Sequence, residues 1–157
     1  PLVSETAELM RHLMEKAGVA LTVTDQTGGS PVLYGNVGEI EQIFLNLLIN
    51  ALQATPEGGR IDIQVQMNGN DVVVRVSDTG KGIAPAHLSR IFEPFFTTRE
   101  NQGGTGLGLA ISRKFCEIMG GDITVDSSPG EGSTFFVTIP LDLGKKLQST
   151  ADNSGSV

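Results

Sequence analysis

The sequence predicts an α+β protein: a two-layer sandwich whose mixed, mostly antiparallel sheet of about five strands is covered on one face by about three helices. Three observations predict it. Glu39 to Gln53, EIEQIFLNLLINALQ, is apolar around most of a helical circumference, as a core helix is. Ile61, Ile63, Val65 and Met67 alternate with Asp62, Gln64 and Gln66, and Asn68-Gly69-Asn70 then turns the chain, which marks a hairpin with one wet face. Helical and strand patterns follow one another with antiparallel hairpins, an order that packs helices on one sheet face.

In chain order, Val3, Ala7, Met10, Met14 and Ala17 recur at helical spacing, so a first helix is expected from about Ser4, as cap, to Lys16, stopped by Gly18. Val19 to Asp25 alternates as a strand does, Gln26 to Pro31 is turn-rich, and Val32 to Gly35 is a short strand. Asn36 caps the core helix, with Glu39 three residues on as a capping-box partner, and Thr55-Pro56-Glu57-Gly58-Gly59 ends it. After the hairpin turn, Val72 to Ser77 shows little alternation, as a central strand would, and runs into Asp78-Thr79-Gly80-Lys81-Gly82. Ala84 to Ile91 reads as a short helix, followed by FEPFFTT (Phe92 to Thr98) and the polar RENQGG. Gly104-Thr105-Gly106-Leu107-Gly108 opens a helix, Leu109 to Met119, stopped by Gly120-Gly121. Ile123 to Asp126 and Thr134 to Ile139 are strands around Ser128-Pro129-Gly130-Glu131-Gly132. One domain over 1–143 is expected, with a disordered tail over 144–157.

Composition narrows the function. A chain of 157 residues with 39% apolar and 18% charged residues suits a soluble globular domain. Net charge is −7, and no cluster of Lys and Arg forms a nucleic-acid surface. No apolar run spans a membrane, so no direct membrane contact is expected. The single cysteine, Cys116, sits in a helical pattern and excludes an internal disulfide and a cysteine-based metal site.

The core helix carries one polar stripe. At roughly 100° per residue, Glu39, Gln42, Asn46, Asn50 and Gln53 fall within roughly 80° of one another. Buried carboxamides are costly unless satisfied, so the stripe is expected to face a polar cavity. Asn46 and Asn50, one turn apart, are able to offer amide oxygens to Mg²⁺, which takes oxygen ligands alongside water and phosphate. Taken alone, two buried asparagines read better as a hydrogen-bonded core network. TGLGLAI (Thr105 to Ile111) sets glycines before a helix, where backbone approaches a ligand closely and the first N–H groups hold anionic oxygens; a plain helix start has the same appearance. It is neither a Walker loop nor a dinucleotide fingerprint. Asp78, where a strand becomes a glycine loop, is an acceptor suited to a purine's exocyclic amine, and suited also to an Asx turn.

In this order and spacing, the segments over about Ser4 to Leu141 resemble the catalytic, ATP-binding domain of sensor histidine kinases, within the Bergerat-fold ATPases that include DNA gyrase, heat-shock chaperones and mismatch-repair ATPases. NLLINALQAT resembles that family's N box, DTGKGI its first glycine box, FEPFFTT its F box, TGLGLAI its second glycine box and GEGSTFFVTIP its closing strand. The NALQAT and FEPFFTT wording is similar to the nitrogen-regulation group. The resemblance implies the Bergerat two-layer fold, ATP and Mg²⁺ as ligands, and donation of the γ-phosphoryl group to a histidine. That histidine would lie on a separate dimerisation domain, with a response regulator downstream. It implies that Asn50, assisted by Asn46, ligates Mg²⁺ and that Asp78 takes the adenine amine. Gly80, Gly82 and Ile83 would line the base pocket. Gly104, Thr105, Gly106, Leu107, Gly108 and Leu109 would cradle phosphate from the helix start. Ser133 or Thr134 would close the adenine pocket. Phe92, Phe95 and Phe96 would anchor a lid over about 84–104, with Phe96, Thr97 and Thr98 nearest the nucleotide.

The chain departs from the family pattern in three places. Gln53 stands where many members carry a phosphate-reaching lysine, and Thr97 where many carry an arginine; Arg99 is the nearest replacement cation. Asn46 stands where hydrolytic members carry a glutamate base, and an amide has no basic function, so transfer rather than hydrolysis is implied. Neither His12 nor His87 lies in the His-Glu/Asp context of a phosphoacceptor, so that module is expected upstream. The implied location is cytoplasmic, in a parent protein that is membrane-anchored or free. Alternative readings are an ATPase acting as a conformational clamp and a degenerate nucleotide-sensing module.

Overall fold

The computed structural model describes residues 2–29, 36–97 and 107–141. Its elements run α1 (Leu2–Lys16), β1 (Ala20–Asp25), α2 (Val37–Ala54), β2 (Arg60–Asn68), β3 (Asp71–Asp78), α3 (Pro85–Leu88), α4 (Gly108–Ile118), β4 (Asp122–Ser128) and β5 (Gly132–Pro140). The five strands form one sheet in the order β1-β2-β3-β5-β4. β1 and β2 are parallel, and the helix between them, α2, supplies the crossover that parallel neighbours require. The other pairings are antiparallel, as expected for a mixed, mostly antiparallel sheet.

One face of the sheet is the core face. Ile61, Ile63, Val72, Val74, Val76, Phe135, Val137 and Ile139 are buried there, beneath Ile43, Phe44, Leu47, Leu48 and Ala51 of α2. α1 lies on one flank of α2 through Ala7, Met10 and Met14, and α4 lies on the other through Cys116, followed by Met119. Each such aliphatic side chain contributes about 1.5–3 kcal/mol by burial. Leu47→Ala, at a site with no exposure, is therefore expected to cost about 2–5 kcal/mol. The opposite sheet face carries Arg75, whose guanidinium sits 5.8 Å from the Phe136 ring centre.

Local chemistry explains the boundaries. Asn36 Oδ1 accepts the Glu39 N–H at 3.2 Å and starts α2. Thr55 Oγ1 donates to the Ala51 carbonyl at 2.7 Å as the helix ends. Gly69, at φ +60, supplies the hairpin turn between β2 and β3. Two expectations shift. α1 begins at Leu2, so Ser4 lies inside the helix rather than capping it. The helix expected from Ala84 to Ile91 contracts to Pro85–Leu88, which has no buried residue to extend it by packing. The strand expected over Val32 to Gly35, and the tail over 144–157, lie outside the described residues.

Candidate functional site

The polar stripe of α2 turns toward α4. Asn46, half-buried, donates both amide hydrogens across the helix pair: Nδ2 lies 3.0 Å from the Gly108 carbonyl oxygen and 3.0 Å from Ser112 Oγ. Its Oδ1 accepts from Gln42 Nε2 at 2.6 Å. The first turn of α4 thus meets part of the polar stripe, and Asn46 takes part in a hydrogen-bonded network between the two helices. Asn50, one turn on, is half-buried, and Gln53 is exposed. Ser112 has no exposure, so its hydroxyl is an interior acceptor that periodicity alone did not single out.

Asp78 is the last residue of β3 and is 6% exposed. Its Oδ1 accepts the Gly80 N–H at 2.9 Å, the Asx turn that its sequence context allowed. Backbone crowding fixes the glycines that follow. A Cβ on Gly80 would lie 2.3 Å from the Ala54 carbonyl oxygen at the end of α2. On Gly82, at φ +73, it would lie 2.1 Å from the Ser128 carbonyl oxygen. On Gly132, at φ +88, it would lie 2.0 Å from the Asp78 carbonyl oxygen. The turn is also bonded on both flanks, Lys81 N–H to Ala54 at 3.2 Å and Gly130 N–H to the Lys81 carbonyl at 2.8 Å. The end of α2, the end of β3 and the β4–β5 turn therefore meet around one carboxylate.

Sheet alternation separates Ser133 from Thr134. Ser133 pairs with Asp78 on the core face and is 6% exposed. Thr134 pairs with Ser77 on the other face, their hydroxyls 3.0 Å apart. Of the two, only Ser133 shares a face with Asp78. Ser127 is a hub that the sequence reading passed over. Its Oγ accepts the Ile83 N–H at 2.8 Å, donates to the Gly132 carbonyl at 2.9 Å and accepts from Ser133 Oγ at 2.8 Å. The signal for it was its position opposite Ser133 in the β4–β5 register.

The model of the family described as histidine kinase-, DNA gyrase B- and HSP90-like ATPases matches residues 35–143. The chain belongs to this family. Among curated relatives, the sensor protein TorS of Escherichia coli (strain K12) is 38% identical over 141 residues, which is 90% of this chain and 15% of TorS. Among solved structures, the catalytic domain of histidine kinase ThkA in a nucleotide-free form is 31% identical with a TM-score of 0.79, covering 88% of this chain and 91% of that one. ThkA has also been solved in complex with the response regulator protein TrrA. Full-length ShkA in complex with AMPPNP is 34% identical with a TM-score of 0.78, covering 88% of this chain and 29% of that one. The chain spans about a sixth of the length of TorS.

Within this ATPase-family frame, the N-box segment is the middle and end of α2, the first glycine box is the turn after β3, and the described part of the second glycine box is the start of α4. Leu107, Gly108 and Leu109 are half-buried at that start. Among the described residues, the atom nearest to a Cβ on Gly108 would be Asn46 Cγ at 3.7 Å, ordinary contact. The F-box phenylalanines differ. Phe92 packs edge-on against Phe135, ring centres 6.4 Å apart, with the Arg113 guanidinium 5.0 Å from its centre. The Phe96 ring centre lies 5.5 Å from that of His87 and 4.5 Å from the Arg90 guanidinium. Phe95 is 72% exposed and holds φ at 68°. Thr97 is half-buried. Thr98, Arg99, Gly104, Thr105 and Gly106 lie outside the described residues.

Among the described residues, no group of three or more His, Cys, Asp or Glu side chains is placed to hold a metal. A cation here would rely on the carboxamide oxygens of α2, completed by phosphate oxygens and water, and that donor set fits Mg²⁺. Cys116, on the buried side of α4, has its thiol pushed up to about 12 by burial, and further by Asp122 and Glu117, so it is not a nucleophile at neutral pH. No helix among the described residues is long and apolar enough to cross a membrane.

Proposed function

We propose that this chain is the ATP-binding catalytic domain of a sensor histidine kinase, residues 1–143, that donates the γ-phosphoryl group to a histidine on the parent protein's dimerisation domain. The observation that carries the proposal is the buried Asp78, presented beside Ser133 by a turn whose glycines touch backbone on both sides. Family membership and the ShkA–AMPPNP likeness support nucleotide as the ligand. The ThkA–TrrA complex supports a response regulator as the downstream partner. The expected location is the cytoplasm.

In this reading Asp78 accepts a hydrogen bond from the adenine amine, which selects adenine over guanine because guanine offers no donor at that position. Ser133 closes the same pocket, and Gly80, Gly82 and Ile83 line it. Asn50, with Asn46, would hold Mg²⁺, which when bound neutralises charge on the phosphate oxygens. The N–H groups of the first turn of α4 face the same phosphates. The acceptor imidazole attacks phosphorus in line, a P–N bond forms as the bond to the ADP oxygen breaks, and positioning supplies most of the catalysis. Position 46 offers no carboxylate to activate water, so transfer outpaces hydrolysis.

The test is a Mg·ATP titration of Asp78→Asn and Asn50→Ala, followed by incubation of the wild-type chain with labelled ATP and a histidine-bearing dimerisation domain. Each variant is expected to bind at least about tenfold more weakly, a loss of about 1.4 kcal/mol. Acid-labile label is expected on the added domain. Unchanged affinity in both variants removes the site, and steady ATP turnover without an acceptor replaces the kinase by an ATPase.

A further inference from the structure

Asn46 is oriented by two acceptors that belong to another helix. A backbone carbonyl only accepts hydrogen bonds, so the group facing Gly108 must be the amide nitrogen. The second hydrogen goes to Ser112 Oγ, one turn further along α4 and without exposure. With both hydrogens committed, Oδ1 is turned to the opposite side, where Gln42 Nε2 meets one of its lone pairs.

We propose that Ser112 is the positioning residue of Asn46: with the Gly108 carbonyl it holds the amide nitrogen, so that the oxygen is presented on the other side of the carboxamide, beside Gln42 Nε2, with a lone pair left for a ligand. The Gly108 carbonyl makes position 46 a place for a carboxamide and not a carboxylate. A carboxylate there would set an anionic oxygen against the Gly108 carbonyl oxygen, an acceptor against an acceptor, and the Ser112 hydroxyl, with one hydrogen to donate to the other oxygen, would not relieve it. The same pair of bonds ties the ligand stripe of α2 to the helix start read as the phosphate side, so both halves of the site move as one body. The inference rests on the nucleotide reading above, because the oxygen that Ser112 aims is the one assigned there to the ligand.

Two measurements test it. In the free protein, exchange of the Asn46 side-chain amide hydrogens is followed by NMR; Ser112→Ala is expected to speed it by about tenfold, the scale of one lost protecting bond. In Mg·ATP titrations, Ser112→Ala is expected to bind about three- to tenfold more weakly, Asn46→Ala at least as weakly, and the double variant no worse than Asn46→Ala, as for residues acting through one another. Ser112→Cys, with a weaker acceptor of similar size, should fall between Ser112→Ala and wild type. Losses that add in the double variant, or that are equal with magnesium chelated, assign Ser112 a merely structural part and overturn the proposal. So do unchanged exchange and affinity in Ser112→Ala. A wild-type chain that binds no Mg·ATP, or an Asp78→Asn variant that binds normally, instead overturns the nucleotide reading itself.

Discussion

The two glycine-bearing turns of this chain look alike as letters and differ as matter. In the turn after β3, side chains are excluded by the protein: Gly80 and Gly82 each bring backbone to within 2.3 Å and 2.1 Å of where a Cβ would sit. At the start of α4, Gly108 has room among the described residues, the nearest of their atoms lying 3.7 Å from where a Cβ would sit. The first turn is glycine-rich because the fold needs it. At the second, the described residues leave space beside the glycine, as either a plain helix start or a ligand-facing backbone would.

That contrast is open to direct attack. Gly82→Ala carries the largest expected effect, a loss of about 3 kcal/mol or more in urea unfolding, from strain at φ +73 plus contact with the Ser128 carbonyl. A loss below about 1 kcal/mol would mean that the turn opens freely and is not held by its neighbours. Ser127→Ala should cost about 1–3 kcal/mol, because it strands the Ile83 N–H and the Ser133 hydroxyl together. Gly108→Ala should leave stability unchanged or raise it by up to about 1 kcal/mol, since alanine is the better helix former. Its Mg·ATP affinity should nevertheless fall, and a variant both stable and unimpaired in binding would sink the distinction between the turns.

Cys116 gives an effect confined to alkaline pH, with none at neutral pH, and a baseline for the buried side of α4. Its folded pKa, about 12, is raised above the ordinary 9.0, so the folded state holds the proton more tightly than the unfolded chain does. That stabilisation is fully present below about pH 9 and is lost as pH rises toward 12. Cys116→Ala should therefore lose less stability than wild type between those limits, measured by urea unfolding across the alkaline range. Iodoacetamide at pH 8 should leave the folded wild-type thiol unlabelled.

Much of the fold was legible along the chain. The period of Ile61 to Met67 marked β2, the Asn36 and Glu39 pair marked the start of α2, and the family motifs carried the architecture. The sequence also presented Asp78 with two roles, and the Asx turn is one that the structure realises. The sequence did not show that the three F-box phenylalanines would part company, Phe92 and Phe96 packing while Phe95 stands in solvent. Aromatic identity sets how much surface there is to bury, not whether a partner arrives.

By itself, the sequence determined most of the helices and strands among the described residues, which faces are apolar, and which residues are able to accept from an adenine or offer oxygen to a cation. Those are short-range properties, set by backbone sterics and side-chain chemistry within a few residues. Only the tertiary structure decided that Asn46 would be met by Gly108 and Ser112, that Ser133 and not Thr134 would share a face with Asp78, and that Ser127 would join three segments. Each of those depends on how separate elements pack, and packing is settled by the whole core at once.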